Sequence, residues 1–446
     1  MPATHQPPSS QSTNTPSPPP PPSIETLDRR LIWHPFTQMK QWEETEPLVI
    51  HDGQGAILRD SKGREYIDGN SSIWTNIHGH RHPIIDSAIR SQLDRIAHIS
   101  FLGTTHEPAV LLAKKLINLL PKSGLTRVFY SDNGSTAIEV AIKMSIQYWQ
   151  LSGQPHRQTF ITFDHAYHGD TCGAASLGGL GTFFSRFDTL HFKPLRLPSP
   201  AHLETIPSPH QIAAVIIEPL VQGAAGIRLW PQGTMRQLRH WCDQYGALLI
   251  YDEVLTGFGR TGKMFACQHE NAYPDFLCLA KGLSGGYLPI AATLTTDKIY
   301  SAFLGDFSEL KTFFYGHSYC ANPLACAAAL GNLAAFQHDR TLEKLPHLIN
   351  SLAQALQQLS TLPCVLETRQ CGLISGIELC NPDKSPLDWR HQTGWRVCMA
   401  ARNHGLLTRN ILDTIVLMPP LCITTNQIQK AAQAIANAIH DVLGHH

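Results

Sequence analysis

From about residue 84 the chain alternates two apolar rhythms. Val110–Leu120 carries apolar residues at helical spacing, and Pro121 to Gly124 ends the run. Arg127-Val128-Phe129-Tyr130 reads as a short strand, after which Asp132-Asn133-Gly134-Ser135 opens an amphipathic helix predicted to about Gln150. Thr159–Phe163, Ile212–Ile217, Ala247–Tyr251 and Phe276–Ala280 are short and apolar throughout, which suits a parallel sheet covered on both faces. Met235–Tyr245 has the pattern of a crossover helix. Upstream, residues 24–75 read as a helix start and short strands, with turns at Asp52-Gly53, Asp60–Gly63 and Asp68–Asn70. Beyond 339 come helices and short strands again, ending in a helix over Thr425–Leu443. The pattern predicts an α/β protein. A large doubly wound, mostly parallel domain spans 76–338, and 23–75 joins 339–446 in a smaller α+β domain.

Composition changes this picture at one end. Of 31 prolines, nine fall in residues 1–22, a stretch rich in Pro, Ser, Thr and Gln and poor in apolar side chains. Such a segment cannot offset its ordering entropy, so a disordered tail is expected there. It lacks the apolar core of a signal peptide. The 35 basic and 35 acidic residues cancel, which argues against a nucleic-acid partner. No apolar run reaches the ~18 residues that span a bilayer, so no membrane partner is expected. Eleven scattered cysteines without a Cys-x-x-Cys pair suit a reducing cytoplasm.

In a sheet of this kind ligands bind beyond the carboxyl ends of the strands. The five predicted strands lead to Asn133-Gly134-Ser135, to Tyr167-His168-Gly169-Asp170, to Glu218, to Asp252-Glu253-Val254 and to Lys281-Gly282. Singly, each has an ordinary reading: an N-cap, a core aromatic, a turn carboxylate. Lys281 resists one, because a lysine ending a buried strand is costly unless solvated, paired or used covalently. Together they match the needs of pyridoxal 5'-phosphate. Lys281 offers an amine for its aldehyde, Asp252 a carboxylate for its ring nitrogen, Gly134 and Ser135 a phosphate cradle, and Tyr167 a stacking surface.

Two other chemistries compete. Gly257-Phe258-Gly259-Arg260-Thr261-Gly262 is a literal G-x-G-x-x-G, with Asp275 following 18 residues after its first glycine, so a nicotinamide-dependent oxidoreductase is the runner-up. The glycines start too far beyond their strand, and Asp275 precedes the next strand where a ribose-binding acid should end it. His78-x-His80-x-His82 and the pair His165 and His168 raise a metal binder, but no His-Glu-x-x-His or cysteine pair supports one. Scattered surface and interface histidines are the expected account, and no catalytic metal is expected.

With Asp252-Glu253-Val254, Gly257–Gly262 and Lys281-Gly282 in place, the chain resembles the class III pyridoxal-phosphate aminotransferases over roughly residues 27–440. Trp33-His34-Pro35-Phe36-Thr37, Tyr167-His168-Gly169-Asp170-Thr171, Gly262–Cys267, Asn322–Cys326 and Leu417-Met418-Pro419-Pro420 look like the branch that aminates 8-amino-7-oxononanoate in biotin biosynthesis. The resemblance implies a fold type I homodimer with shared active sites and small-molecule substrates. Lys281 would form the Schiff base, Asp252 would pair with the ring nitrogen, and Tyr167 and Val254 would cover the two ring faces. Gly134 and Ser135 would hold the phosphate, joined by His317 and Ser318 across the subunit contact. Gly316 would lie beside the substrate, Arg409 would grip its carboxylate, and Arg260 would stand nearby. Phe36, Ile73-Trp74 and Gly316-His317-Ser318 depart from the enzymes that use S-adenosylmethionine and look more like those that use lysine. Another class III ω-amino-acid transaminase is the alternative within the family.

Overall fold

The computed structural model describes residues 21–181 and 185–444. Most of the expected proline-rich tail, residues 1–20, lies outside them. The central sheet has seven strands: β1 (Leu125–Ser131), β2 (Thr159–Phe163), β3 (Leu195–Leu197), β4 (Ile212–Ile217), β5 (Leu248–Asp252), β6 (Phe276–Leu279) and β7 (Ala291–Thr296). Their order is β1-β7-β6-β5-β4-β2-β3. Strand β7 runs antiparallel to both neighbours, so the other six share one direction and present their carboxyl ends on one side. Strands β4, β5 and β6 are buried at every position, as a sheet covered on both faces requires.

Two strands were not legible as such. β3 has only three residues. β7 reads Ala-Ala-Thr-Leu-Thr-Thr, whose threonines look polar in sequence, yet Thr293 and Thr295 spend their hydroxyls on the carbonyls of Ala137 and Asp275. The predicted helices appear at Glu107–Asn118, Thr234–Tyr245 and α1 (Gly134–Leu151). Helix α1 opens on a reciprocal cap: Asn133 Oδ1 accepts from Thr136 N, and Thr136 Oγ1 accepts from Asn133 N.

Outside the large sheet, the strands Ile50–Gln54, Ile57–Asp60 and Glu65–Asp68 form an antiparallel meander. Leu406–Leu407 adds parallel to its last strand, so the two ends of the chain meet in one sheet. Asp52-Gly53 is not the turn expected there. Both residues pair within the first strand, past a register shift, and the reversal comes at Gly55. A further sheet pairs Val365–Cys371, Ile374–Leu379, Thr414–Leu417 and Arg409–Ile411 in the order first, second, third, fourth. The closing helix spans Thr425–Leu443. Among the described residues no helix is long and apolar enough to cross a membrane.

Candidate active site

A cavity of about 800 Å³ opens at the carboxyl ends of the parallel strands. Its wall includes Gly134 and Ser135 after β1, Tyr167 and His168 after β2, Glu218 after β4, Asp252 and Val254 at the end of β5, and Lys281 after β6. The topology alone explains this convergence, because parallel strands deliver whatever follows them to one edge.

Lys281 sits at the base. Its backbone is held at φ 42°, a left-handed conformation rare for a side chain of this kind. Its Nζ makes no hydrogen bond among the described residues and lies 4.6 Å from the centre of the Trp74 ring. Burial lowers its pKa to about 8, opposed by the carboxylates of Asp252 and Glu218. Asp252 is buried, and its two oxygens are fixed from opposite sides. Oδ2 lies 2.8 Å from His168 Nδ1, and Oδ1 accepts from Val254 N at 3.1 Å. Glu218 accepts from the amides of Tyr167 (3.1 Å) and Gly223 (2.9 Å), and burial raises its pKa to about 7.

The phosphate side is built by close approach. A Cβ on Gly134 would stand 2.7 Å from Val254 Cγ1, so only glycine lets the helix start pack against that valine. Gly169, at φ 125°, brings its backbone against Ser135, where a side chain would collide. Ser135 Oγ accepts from Asp170 N at 3.1 Å. Helix α1 thus aims its first N–H groups, which no turn of the helix can satisfy, at the cavity. Tyr167 donates its hydroxyl to Asp170 Oδ2 at 2.8 Å. Glu139 on α1 accepts from Thr171 and Gly173, tying the Tyr167 loop to the helix.

The outer wall carries Phe36, Ile73, Trp74, Ile411 and Arg409. Residues 71–74 turn through four consecutive positive φ values, 47°, 49°, 62° and 68°. Left-handed turns of L-residues persist only when their surroundings over-determine them. Here Asp68 accepts from Ser72 N and Oγ, and Ser71 Oγ donates to Met418 O at 2.6 Å. Arg409 faces the same indole, its Cζ 5.8 Å from the Trp74 ring.

Several expected site residues lie elsewhere. Arg260, expected near the substrate, does not line the cavity. It is 1% exposed, and its guanidinium donates to the carbonyls of Asn76 (2.6 Å), Pro419 (2.7 Å) and Trp74 (3.5 Å). Backbone carbonyls behind the 71–76 turn take its two terminal nitrogens, its Nε has no partner among the described residues, and its charge still acts on Lys281. Gly316, His317 and Ser318 are also absent from the cavity wall of the single chain. His317 meets Asp132 of its own chain, with Nδ1 2.7 Å from Oδ2.

The competing motifs resolve differently. Gly257–Gly262 forms turns leading to the short helix Ala266–His269, with no strand-to-helix phosphate turn. Asp275 pairs with Arg239 at 2.9 Å and accepts from Leu249 N. His80 turns away from the other two and meets Asp68; the His78 and His82 rings lie 5.4 Å apart, His78 packing also on Phe336 and His82 pairing with Asp339. His78 and His168 are buried rather than scattered over the surface. His168 was the functional neighbour hardest to foresee. Its one signal was its place beside Tyr167 in the strand-end run.

The chain matches the family model "Aminotransferase class-III" over residues 38–439. It belongs to the class-III aminotransferases. It is 46% identical to the adenosylmethionine-8-amino-7-oxononanoate aminotransferase of Geobacter sulfurreducens, over 95% of this chain and 98% of the relative. The crystal structure of the enzyme of that name from Methanocaldococcus jannaschii superposes with a TM-score of 0.91 at 41% identity, covering 94% of this chain and 99% of the other. A PLP-bound amine transaminase from an uncultivated Pseudomonas species gives 0.86 at 32% identity, covering 92% and 99%. The protein is therefore a pyridoxal-phosphate-dependent transaminase of the fold type I architecture, acting on small molecules. Its cavity fits that cofactor: an unbonded amine at Lys281, a buried carboxylate fixed by His168, and a helix N-terminus with the Gly134–Val254 approach occupy one space.

Proposed function

We propose that this transaminase passes an amino group to the ketone of 8-amino-7-oxononanoate, forming 7,8-diaminononanoate for biotin synthesis. The observation that carries this reading is the shape of the outer cavity. Apolar Phe36, Ile73 and Ile411 line a path for an aliphatic chain, and Arg409 stands with the Trp74 indole on the same wall. The names and near-complete coverage of the relatives support it.

Pyridoxal phosphate, when bound, supplies an electrophilic carbon and an electron-withdrawing ring. The chain's own residues do the rest. Lys281, its pKa lowered to about 8 by burial, gives up its proton more readily than an exposed lysine and would take up and return the α-proton. Asp252, held by His168, would keep a proton at the cofactor's ring nitrogen. Tyr167 and Val254 would cover the ring. Gly134 and Ser135 would offer N–H groups and a hydroxyl to the phosphate, and Arg409 would offer a two-pronged donor to a substrate carboxylate. One site serves donor and acceptor in turn, so the donor's oxo product leaves before the ketone enters.

The donor is S-adenosylmethionine on the relatives' names. Phe36, Ile73 and the Gly316-His317-Ser318 run favour lysine as the second reading. Incubating the pure protein with 8-amino-7-oxononanoate and each donor alone, and measuring diaminononanoate by mass spectrometry, separates them. Product from neither donor overturns the proposal.

We further infer a homodimer. Leu102, Phe307 and Phe314 are at least three-quarters exposed, large apolar side chains that a second chain would cover. A monomer by light scattering refutes it. The division into residues 23–75 plus 339–446 against 76–338 is supported by the sheet that joins both chain ends. A cytoplasmic location is supported by the eleven unpaired thiols.

A further inference from the structure

Beside the cavity, Asp132, His317 and Cys320 bring one carboxylate oxygen, one imidazole nitrogen and one thiol sulfur within 4.8 Å of one another. None belongs to the transamination steps derived above within a single chain. We propose that these three residues form a zinc site at the rim of the cofactor cavity, separate from the chemistry at Lys281.

The donor set is the first argument. Sulfur, imidazole and carboxylate together are the ligands of zinc, and three of them leave one position open for water. The geometry is the second. Bonds of roughly 2.0–2.3 Å place tetrahedral ligand atoms roughly 3.3–3.8 Å apart, so side-chain shifts of about 1 Å, bringing the sulfur in and letting the carboxylate and imidazole part slightly, form the site. The third argument is charge and unmet bonding. His317 Nδ1 already stands 2.7 Å from Asp132 Oδ2, and the other carboxylate oxygen, Oδ1, is shielded from solvent with no hydrogen-bond partner among the described residues. A cation bound by the imidazole and the carboxylate gives that oxygen a partner. The backbone is already folded for it, since His317 N donates to Cys320 Sγ at 3.1 Å.

Binding replaces the Cys320 S–H bond with an S–Zn bond and releases that proton to solvent, with no change of oxidation state. Asp132 is on the cavity wall two residues before Gly134, so an occupied site ties the Tyr315–Cys320 segment to the phosphate end of the pocket.

The test uses the holoenzyme and two metals. Zinc is titrated against a chromophoric chelator, comparing the natural chain with Cys320→Ser and Cys320→Ala. One tight zinc per chain is expected, weakened about tenfold or more in both variants. Cobalt(II) should give intense visible d–d bands, beyond the cofactor's absorption, that vanish in both variants. Equal zinc affinity in all three chains, with weak octahedral cobalt bands, places the metal on other histidines and overturns the proposal. Neither readout depends on which amino donor the enzyme uses, or on its turnover.

Discussion

Two buried cations stand on opposite sides of the same short turn, and they do opposite work. Lys281 and Arg260 each lose the ordinary stability of their charge to burial: the lysine falls to about 8 and the arginine to about 10. Arg260 answers the loss at its two terminal nitrogens, which donate to three backbone carbonyls, while its Nε has no partner among the described residues. Lys281 has no hydrogen-bond acceptor among the described residues; the Trp74 ring lies beneath it, and the carboxylates of Asp252 and Glu218 act on it only through charge. A buried charge whose terminal nitrogens are spent on backbone carbonyls belongs to the scaffold. One left without acceptors is costly unless chemistry uses it. The two meet at Trp74, whose carbonyl accepts from Arg260 while its ring faces Lys281.

That contrast predicts that the two residues fail differently. Lys281→Ala should cut kcat/KM for diaminononanoate formation by about 10⁴-fold or more, since it removes both the covalent anchor and the base. Its stability to urea without cofactor should not fall, because no hydrogen bond is lost. Substantial residual turnover would break the assignment. Arg260→Met should do the reverse in kind. Leaving three carbonyls without their charged donor should cost about 3 kcal/mol in urea unfolding, with lost substrate affinity following from a loosened 71–76 turn. An Arg260→Met chain of unchanged stability would make the arginine something other than a scaffold.

The same contrast explains what the sequence could and could not reveal. Lys281, Asp252, Tyr167 and Gly134 were legible because each follows a recognisable strand, and the strand end fixes where a residue goes. Arg260 sits in a glycine-rich run typical of ligand loops, and nothing local says that its partners lie at 74–76 and 419. Those contacts span more than 150 residues of chain. His168 escaped for a related reason: its meaning is its distance from Asp252, 84 residues away. Strand β7 escaped because its threonines bond carbonyls that only the fold supplies.

Titration sharpens the lysine half of the comparison. Capture of pyridoxal phosphate by the cofactor-free protein requires the neutral amine. With the folded pKa near 8 against an ordinary 10.5, the capture rate should rise about tenfold per pH step below 8 and level above it. Because the folded value is depressed for a base, the unfolded chain holds more protons between 8 and 10.5. This group's contribution to stability therefore increases as pH rises through that window. Stopped-flow absorbance across pH 6–10 reads the midpoint, and a midpoint near 10 would remove burial as the cause.

The smallest effect lies where the two cations share a residue. Trp74→Phe keeps the carbonyl that accepts from Arg260, so unfolding in urea should move little on that account. It replaces the indole under Lys281 with a ring of weaker negative face. The indole favours the charged amine, and losing about 0.5 kcal/mol of that attraction should move the capture midpoint down by about 0.4 in pH. A shift upward would mean that Trp74 acts on Lys281 chiefly by excluding water. The ring would then count among the causes of burial, and the attraction of its face would not be what sets the lysine's charge.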